Sequence, residues 1–109
     1  MAEVRVQVRV SGLVQQVGFR MFAVEAAQSL GVRGAVCNTH DGAIELVAEG
    51  ERAALESLVA MMRQGPRAAR VESVLVAWSA ATGEFADFSA RRTLPAAPHR
   101  PVPPPSRGI

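Results

Sequence analysis

The order of periodic segments predicts an α+β fold of the split βαβ, ferredoxin-like kind, a βαββαβ sandwich with an antiparallel sheet and two helices on one face. Two observations carry this. Apolar residues recur at every second position in some stretches and at every third or fourth in two others. Glycines able to end helices, and one Asp-Gly pair able to turn a hairpin, fall at the junctions between them.

"VRVQVRV", residues 4–10, alternates without a break. Val4, Val6, Val8 and Val10 point one way and Arg5, Gln7 and Arg9 the other, which predicts a strand with one wet face. From Met21 to Leu30 the period lengthens: Phe22, Ala26 and Leu30 stand at steps of four beside Ala23 and Ala27, and Gly31 follows as the helix stop. "GAVCNTHDGAIELVAEG", residues 34–50, reads as a hairpin in which Asp41-Gly42 supplies the left-handed conformations of a tight turn. "ERAALESLVAMMRQGP", residues 51–66, places Leu55, Leu58, Val59 and Met62 on one helical stripe and closes on Gly65-Pro66. "RVESVLVAWSA", residues 70–80, returns to alternation, and "DFSAR", residues 87–91, adds a short edge strand.

A chain of 109 residues, about half of them apolar, encloses one modest core. That core belongs to residues 1–92. Residues 93–109 hold six of the seven prolines and few large apolar groups, and read as a disordered or polyproline-like tail. All twelve basic residues are arginines, and Arg100 and Arg107 lie in the tail, so residues 1–92 balance ten arginines against ten carboxylates. A nucleic-acid partner is not expected from that balance, nor from strands that offer no exposed aromatic platform. Trp78, Phe85 and Phe88 read as core. Cys37 is alone, the first ten residues have no basic start followed by an apolar block, and no apolar run approaches a bilayer span. The reading is a cytoplasmic monomer with no membrane partner, no cofactor and no metal; His40 is a turn residue and His99 lies in the tail.

The segment "SGLVQQVGFRMF", residues 11–22, joins the first strand to the first helix. No Ser, Thr, Asp or Asn stands between Gly12 and Arg20 to cap that helix. Its first N–H groups are left free beside the positive end of the helix dipole and the Arg20 guanidinium, an arrangement that receives phosphate. The residues alone leave open the plainer alternative, in which water fills the site and Arg20 is a surface arginine. Asn38 precedes the Asp-Gly turn on a strand parallel to the first, one strand away and so about 10 Å across the sheet. By itself it reads as a turn-flanking asparagine. Cys37, its neighbour on the strand, points the other way.

"VSGLVQQVGFR" resembles the first signature of the acylphosphatase family. "GAVCNTHDGAIELVAEG" resembles the second, with Gly34, Asn38, Gly42 and Gly50 at the family spacing. The resemblance covers roughly residues 3–92 in order and without gaps, and includes the "GP" after the second helix and "TGEFADF" near its end. It implies hydrolysis of the carboxyl-phosphate bond of an acyl phosphate, without metal, to a carboxylate and inorganic phosphate. Arg20 matches the family's phosphate-binding catalytic arginine. The backbone of Gln15, Gln16, Val17, Gly18 and Phe19 matches the phosphate cradle, and Asn38 matches the asparagine that orients the attacking water.

Two positions depart from the pattern. Gln16 stands where the family has glycine, so a positive φ there would carry strain of about 1 kcal/mol or more. Ala35 replaces an aromatic residue and is expected to thin the packing beside Asn38; both changes bear on catalytic efficiency. The reading from another function class is a catalytically weak module of the same fold that binds acyl or carbamoyl phosphate or a protein partner. A ferredoxin-like RNA-binding or regulatory module is the third. Turnover of benzoyl phosphate separates the enzyme from both.

Overall fold

The computed structural model describes residues 2–94; the remaining tail residues lie outside it. The elements run β1 (Glu3–Leu13), α1 (Phe19–Leu30), β2 (Arg33–Asn38), β3 (Ile44–Glu51), α2 (Arg52–Gln64), β4 (Arg70–Ala80) and β5 (Phe88–Ala90). The sheet order is β4-β1-β3-β2-β5. The four longer strands pair antiparallel, and β5 adds a short parallel pairing with β2, making the sheet mixed. With β3 between them, β1 and β2 run in the same direction, which brings the end of β1 and the end of β2 to one edge of the domain.

The alternation of β1 sends Val6, Val8 and Val10 into a core shared with Val36, Ile44, Leu46 and Ala48 from the neighbouring strands. Leu55, Leu58, Val59 and Met62 of α2 close that core, and so do Phe19, Ala23, Ala26 and Ala27 of α1. Both helices therefore cover one face of the sheet. Helix α1 begins two residues before the sequence period does, because Phe19 is buried and packs edge-on against Phe22, their ring centres 5.9 Å apart. Gly31 ends it in the left-handed conformation.

Two features differ from the sequence expectations. Asp41-Gly42 does not make a two-residue turn: only Gly42 takes a positive φ, 94°, and residues 39–43 form a longer loop held by Thr39. The Thr39 N–H donates to the Ala43 carbonyl at 2.8 Å, and the Ala43 N–H donates back to the Thr39 hydroxyl at 2.9 Å. The second difference concerns the face of β1 opposite the helices, which is not wet throughout. Arg5 is 2% exposed and its cross-strand partner Glu49 is fully buried, because residues 81–87 fold across them and Phe85 covers the guanidinium.

That buried pair is closely bonded. Arg5 donates to Glu49 at 2.8 Å and to Glu84 at 2.7 Å. Glu49 also accepts the backbone N–H of Thr82 at 2.9 Å, that of Gly83 at 2.8 Å and the Thr82 hydroxyl at 2.8 Å. Burial by itself would raise the Glu49 carboxyl; the bonds from Thr82, Gly83 and Arg5 outweigh it and hold the group below its ordinary value. Because the folded value is the lower one, this stability is complete above the ordinary carboxylate range and is lost as pH falls through the folded value. Glu49→Gln removes the fully buried one of Arg5's two counter-charges, leaving the partly exposed Glu84, and should cost about 3 kcal/mol in urea unfolding at neutral pH. It should also flatten the acid limb of the stability profile. Equal stability for wild type and variant across both ranges would show that the pair contributes nothing net.

Candidate active site

Strand β1 ends in an irregularity that aims the loop after it. Its pairing with β4 shifts register between Ser11 and Gly12, and Gly12 takes φ 130°, where a Cβ would meet the Arg70 carbonyl oxygen at 2.2 Å. The chain then turns through residues 14–18 into α1. Gly18 precedes the helix with φ 80°, and no side chain caps it. The first helical bond runs from the Phe22 N–H to the Gly18 carbonyl at 3.0 Å, so the N–H groups of Phe19, Arg20 and Met21 lie ahead of the helical ladder. These are the free donors that the uncapped sequence implies.

Gln16 takes φ 63°, the single positive φ outside glycine among the described residues. The condition for backbone strain at this position is met. Its side chain has no place in the core: Gln16 is exposed, at the rim of the loop. Gln15 does the reverse. Its side-chain amide reaches across to the β2–β3 loop and donates to the Thr39 and Ala43 carbonyls, at 2.9 Å each. Two carbonyls of one loop are thereby fixed to the other loop by a single side chain, a role not read from the sequence.

Asn38 is the last residue of β2 and stands opposite Ile44, whose side chain lies in the core beneath the helices. It is half-buried and on the helix side of the sheet, while Cys37 faces the other way toward Glu45. Burial first, then Glu45, pushes the Cys37 thiol above its ordinary value, which leaves it a protonated core residue. Arg20 is exposed and forms no ion pair among the described residues. Among the same residues no three His, Cys, Asp or Glu side chains gather as metal ligands.

Gln16, Gly18, Phe19, Arg20 and Asn38 line one cavity of about 660 Å³. The turn before α1, Arg20 and Asn38 therefore share a single space. Gln15 supports it from behind and Val17 packs against the core instead of lining it. The remaining wall comes from Val14, from α1 and from Asp87, Phe88, Ser89 and Ala90 around β5, which the sequence alone assigns to no site.

The thin packing expected at Ala35 is corrected by the structure. Ala35 is fully buried against Val47 and Phe85, and Leu94 packs on the same cluster. Phe85 and Leu94, both distant in sequence, occupy the space beside a small residue.

The family model for acylphosphatase matches residues 6–90. An acylphosphatase of Anaeromyxobacter sp. (strain Fw109-5) is 52% identical over 92 residues, covering 84% of this chain and 99% of its own length. One from Salinibacter ruber (strain DSM 13855 / M31) is 50% identical over 90 residues, covering 83% and 95%. The crystal structure of acylphosphatase from Bacillus subtilis, 33% identical, superposes with a TM-score of 0.78 over 81% of this chain and 98% of that one.

The left-handed Gln16 generates a prediction about the loop. Glycine there removes about 1 kcal/mol of backbone strain but adds roughly 0.5–1 kcal/mol of freedom to the unfolded chain. Gln16→Gly should therefore match or slightly exceed the wild type in urea unfolding, and Gln16→Ala, which keeps the Cβ, should gain nothing. A loss well above 1 kcal/mol in the glycine variant would mean that the glutamine side chain itself stabilises the loop.

Proposed function

The chain belongs to the acylphosphatase family, and we propose that Arg20 and the backbone of residues 15–19 hold the substrate's phosphoryl group while Asn38 directs the attacking water. The reaction is hydrolysis of the carboxyl-phosphate bond of an acyl phosphate to a carboxylate and inorganic phosphate. The observation that supports these roles is the common cavity: a guanidinium with no ion pair among the described residues, an uncapped helix start and a half-buried amide line one space.

The chemistry needs little more. An acyl phosphate carries a good leaving group, so catalysis consists mainly of positioning and of stabilising spread negative charge. The Arg20 guanidinium and the free N–H groups at the start of α1 offer fixed positive charge and donors to the phosphoryl oxygens. The water oxygen bonds to phosphorus as the bond to the acyl oxygen breaks, and that electron pair leaves on the carboxylate. The water's proton passes to a phosphoryl oxygen of the substrate, so no side-chain base is required. Asn38 accepts a hydrogen bond from the water or donates one to it, setting the line of attack.

Residues 1–92 are proposed as the catalytic unit and residues 93–109 as its appendage, a division supported by a family match that ends at residue 90. A cytoplasmic, monomeric protein is proposed as well, in keeping with its single buried cysteine. No helix among the described residues is long and apolar enough to cross a membrane.

Arg20→Ala should lower kcat/KM for acyl phosphates by roughly a hundredfold or more, with the melting temperature unchanged and inhibition by inorganic phosphate lost. Retained activity together with retained phosphate inhibition would remove Arg20 from the mechanism. Asn38→Ala should depress kcat and leave KM nearly unmoved, because an amide that orients water acts on the attack and not on the phosphate. A defect confined to KM would make Asn38 a binding residue.

A further inference from the structure

The cavity continues well past the groups that would hold phosphate. From Arg20 at the start of α1 it runs along Met21, Val24 and Gln28, which lie three and four residues apart on one stripe of the helix. That stripe is about 10 Å long at the helical rise. The rest of the lining includes Asp87, Phe88, Ser89 and Ala90 in and just before β5, with Val14 and Phe19. The trough is thus a cleft between α1 and the edge strand, open at one end to the phosphate cradle. The whole cavity, the residues of the cradle included, is about 660 Å³, in the range of small-molecule sites.

Its walls are mostly apolar, and the two charged residues that line it are Arg20, at the phosphate end, and Asp87, just before β5. Met21 is 62% exposed, far more than a large apolar side chain in the core, and it stands on the wall nearest the cradle. A flexible thioether in that position can fold over ligands of different shape. The parallel pairing of Gly34 with Phe88 and of Val36 with Ala90 fixes the opposite wall beside β2, the strand that ends in Asn38.

We propose that this trough receives the acyl group, and that the preferred substrates carry an uncharged, extended apolar chain lying between α1 and β5, with Met21 and Val24 setting the preference. The proposal rests on the reading of the cradle given above. It follows from continuity: a phosphoryl group held at Arg20 must direct its acyl substituent away from the guanidinium, and the open apolar path leads along α1. Each methylene laid on those walls leaves water, an advantage worth roughly two- to fourfold in binding.

The test is a series of acetyl, butyryl and hexanoyl phosphate with wild type, Met21→Gln and Val24→Thr. The parent acids are of nearly equal acidity, so the leaving groups differ little and chain length is the variable. Wild-type kcat/KM should rise roughly two- to fourfold per added methylene. The hexanoyl-to-acetyl ratio should fall toward one in both variants, whose folding is checked by melting temperature. A flat wild-type series with all three substrates hydrolysed overturns the trough and leaves the cradle standing. A rising series that both variants retain overturns its placement along α1. Failure of the wild type to hydrolyse any of the three would instead sink the reading of the cradle.

Discussion

A single amide holds the cleft together. The Gln15 side chain donates to the carbonyls of Thr39 and Ala43, the two ends of the β2–β3 loop, at 2.9 Å each. The loop before α1 leads into the free N–H donors and Arg20 at the helix start, and the β2–β3 loop begins directly after Asn38. These segments belong to strands separated by β3, so sheet pairing sets their distance only at the level of the strand spacing. The amide bridge fixes the rest. Without it the Thr39 and Ala43 carbonyls keep only the bonds made within their own loop, and the loop that begins after Asn38 is released from the loop that leads into α1.

The surrounding structure supports that bridge from both sides. Thr39 closes the β2–β3 loop through backbone and hydroxyl bonds to Ala43, and Arg9 pairs with both Asp41 in the loop and Glu45 beyond it. On the far face of the sheet, the buried Arg5–Glu49 pair anchors residues 81–87, which lead into β5. That strand is the outer wall of the cavity. A charge network on the opposite face of the sheet therefore supports one side of the cavity, and a neutral amide supports the other.

Much of this was legible in the sequence, for identifiable reasons. The period of two in residues 4–10 and the period of three to four after Met21 reflect burial on one face, so strands, helices and their order could be read directly. The absence of a capping residue before Arg20 marked the free helix start. What could not be read depends on contacts between distant segments. Arg5 looked solvated because nothing in its own strand announces the covering loop some eighty residues later. Gln15 lay inside a recognisable motif, yet its side-chain role is visible only once the β2–β3 loop is placed opposite it. Ala35 looked like a loss of packing, but Phe85 and Leu94 arrive from the end of the domain to fill the space.

The part proposed for Gln15 is to place Asn38. A double-mutant cycle on kcat with Gln15→Ala, Asn38→Ala and the pair tests it most directly. If the bridge serves to position Asn38, the Gln15 change should lower kcat markedly in the wild type and much less once Asn38 is already alanine. Losses that multiply independently would show that Gln15 contributes by another route and would contradict the account.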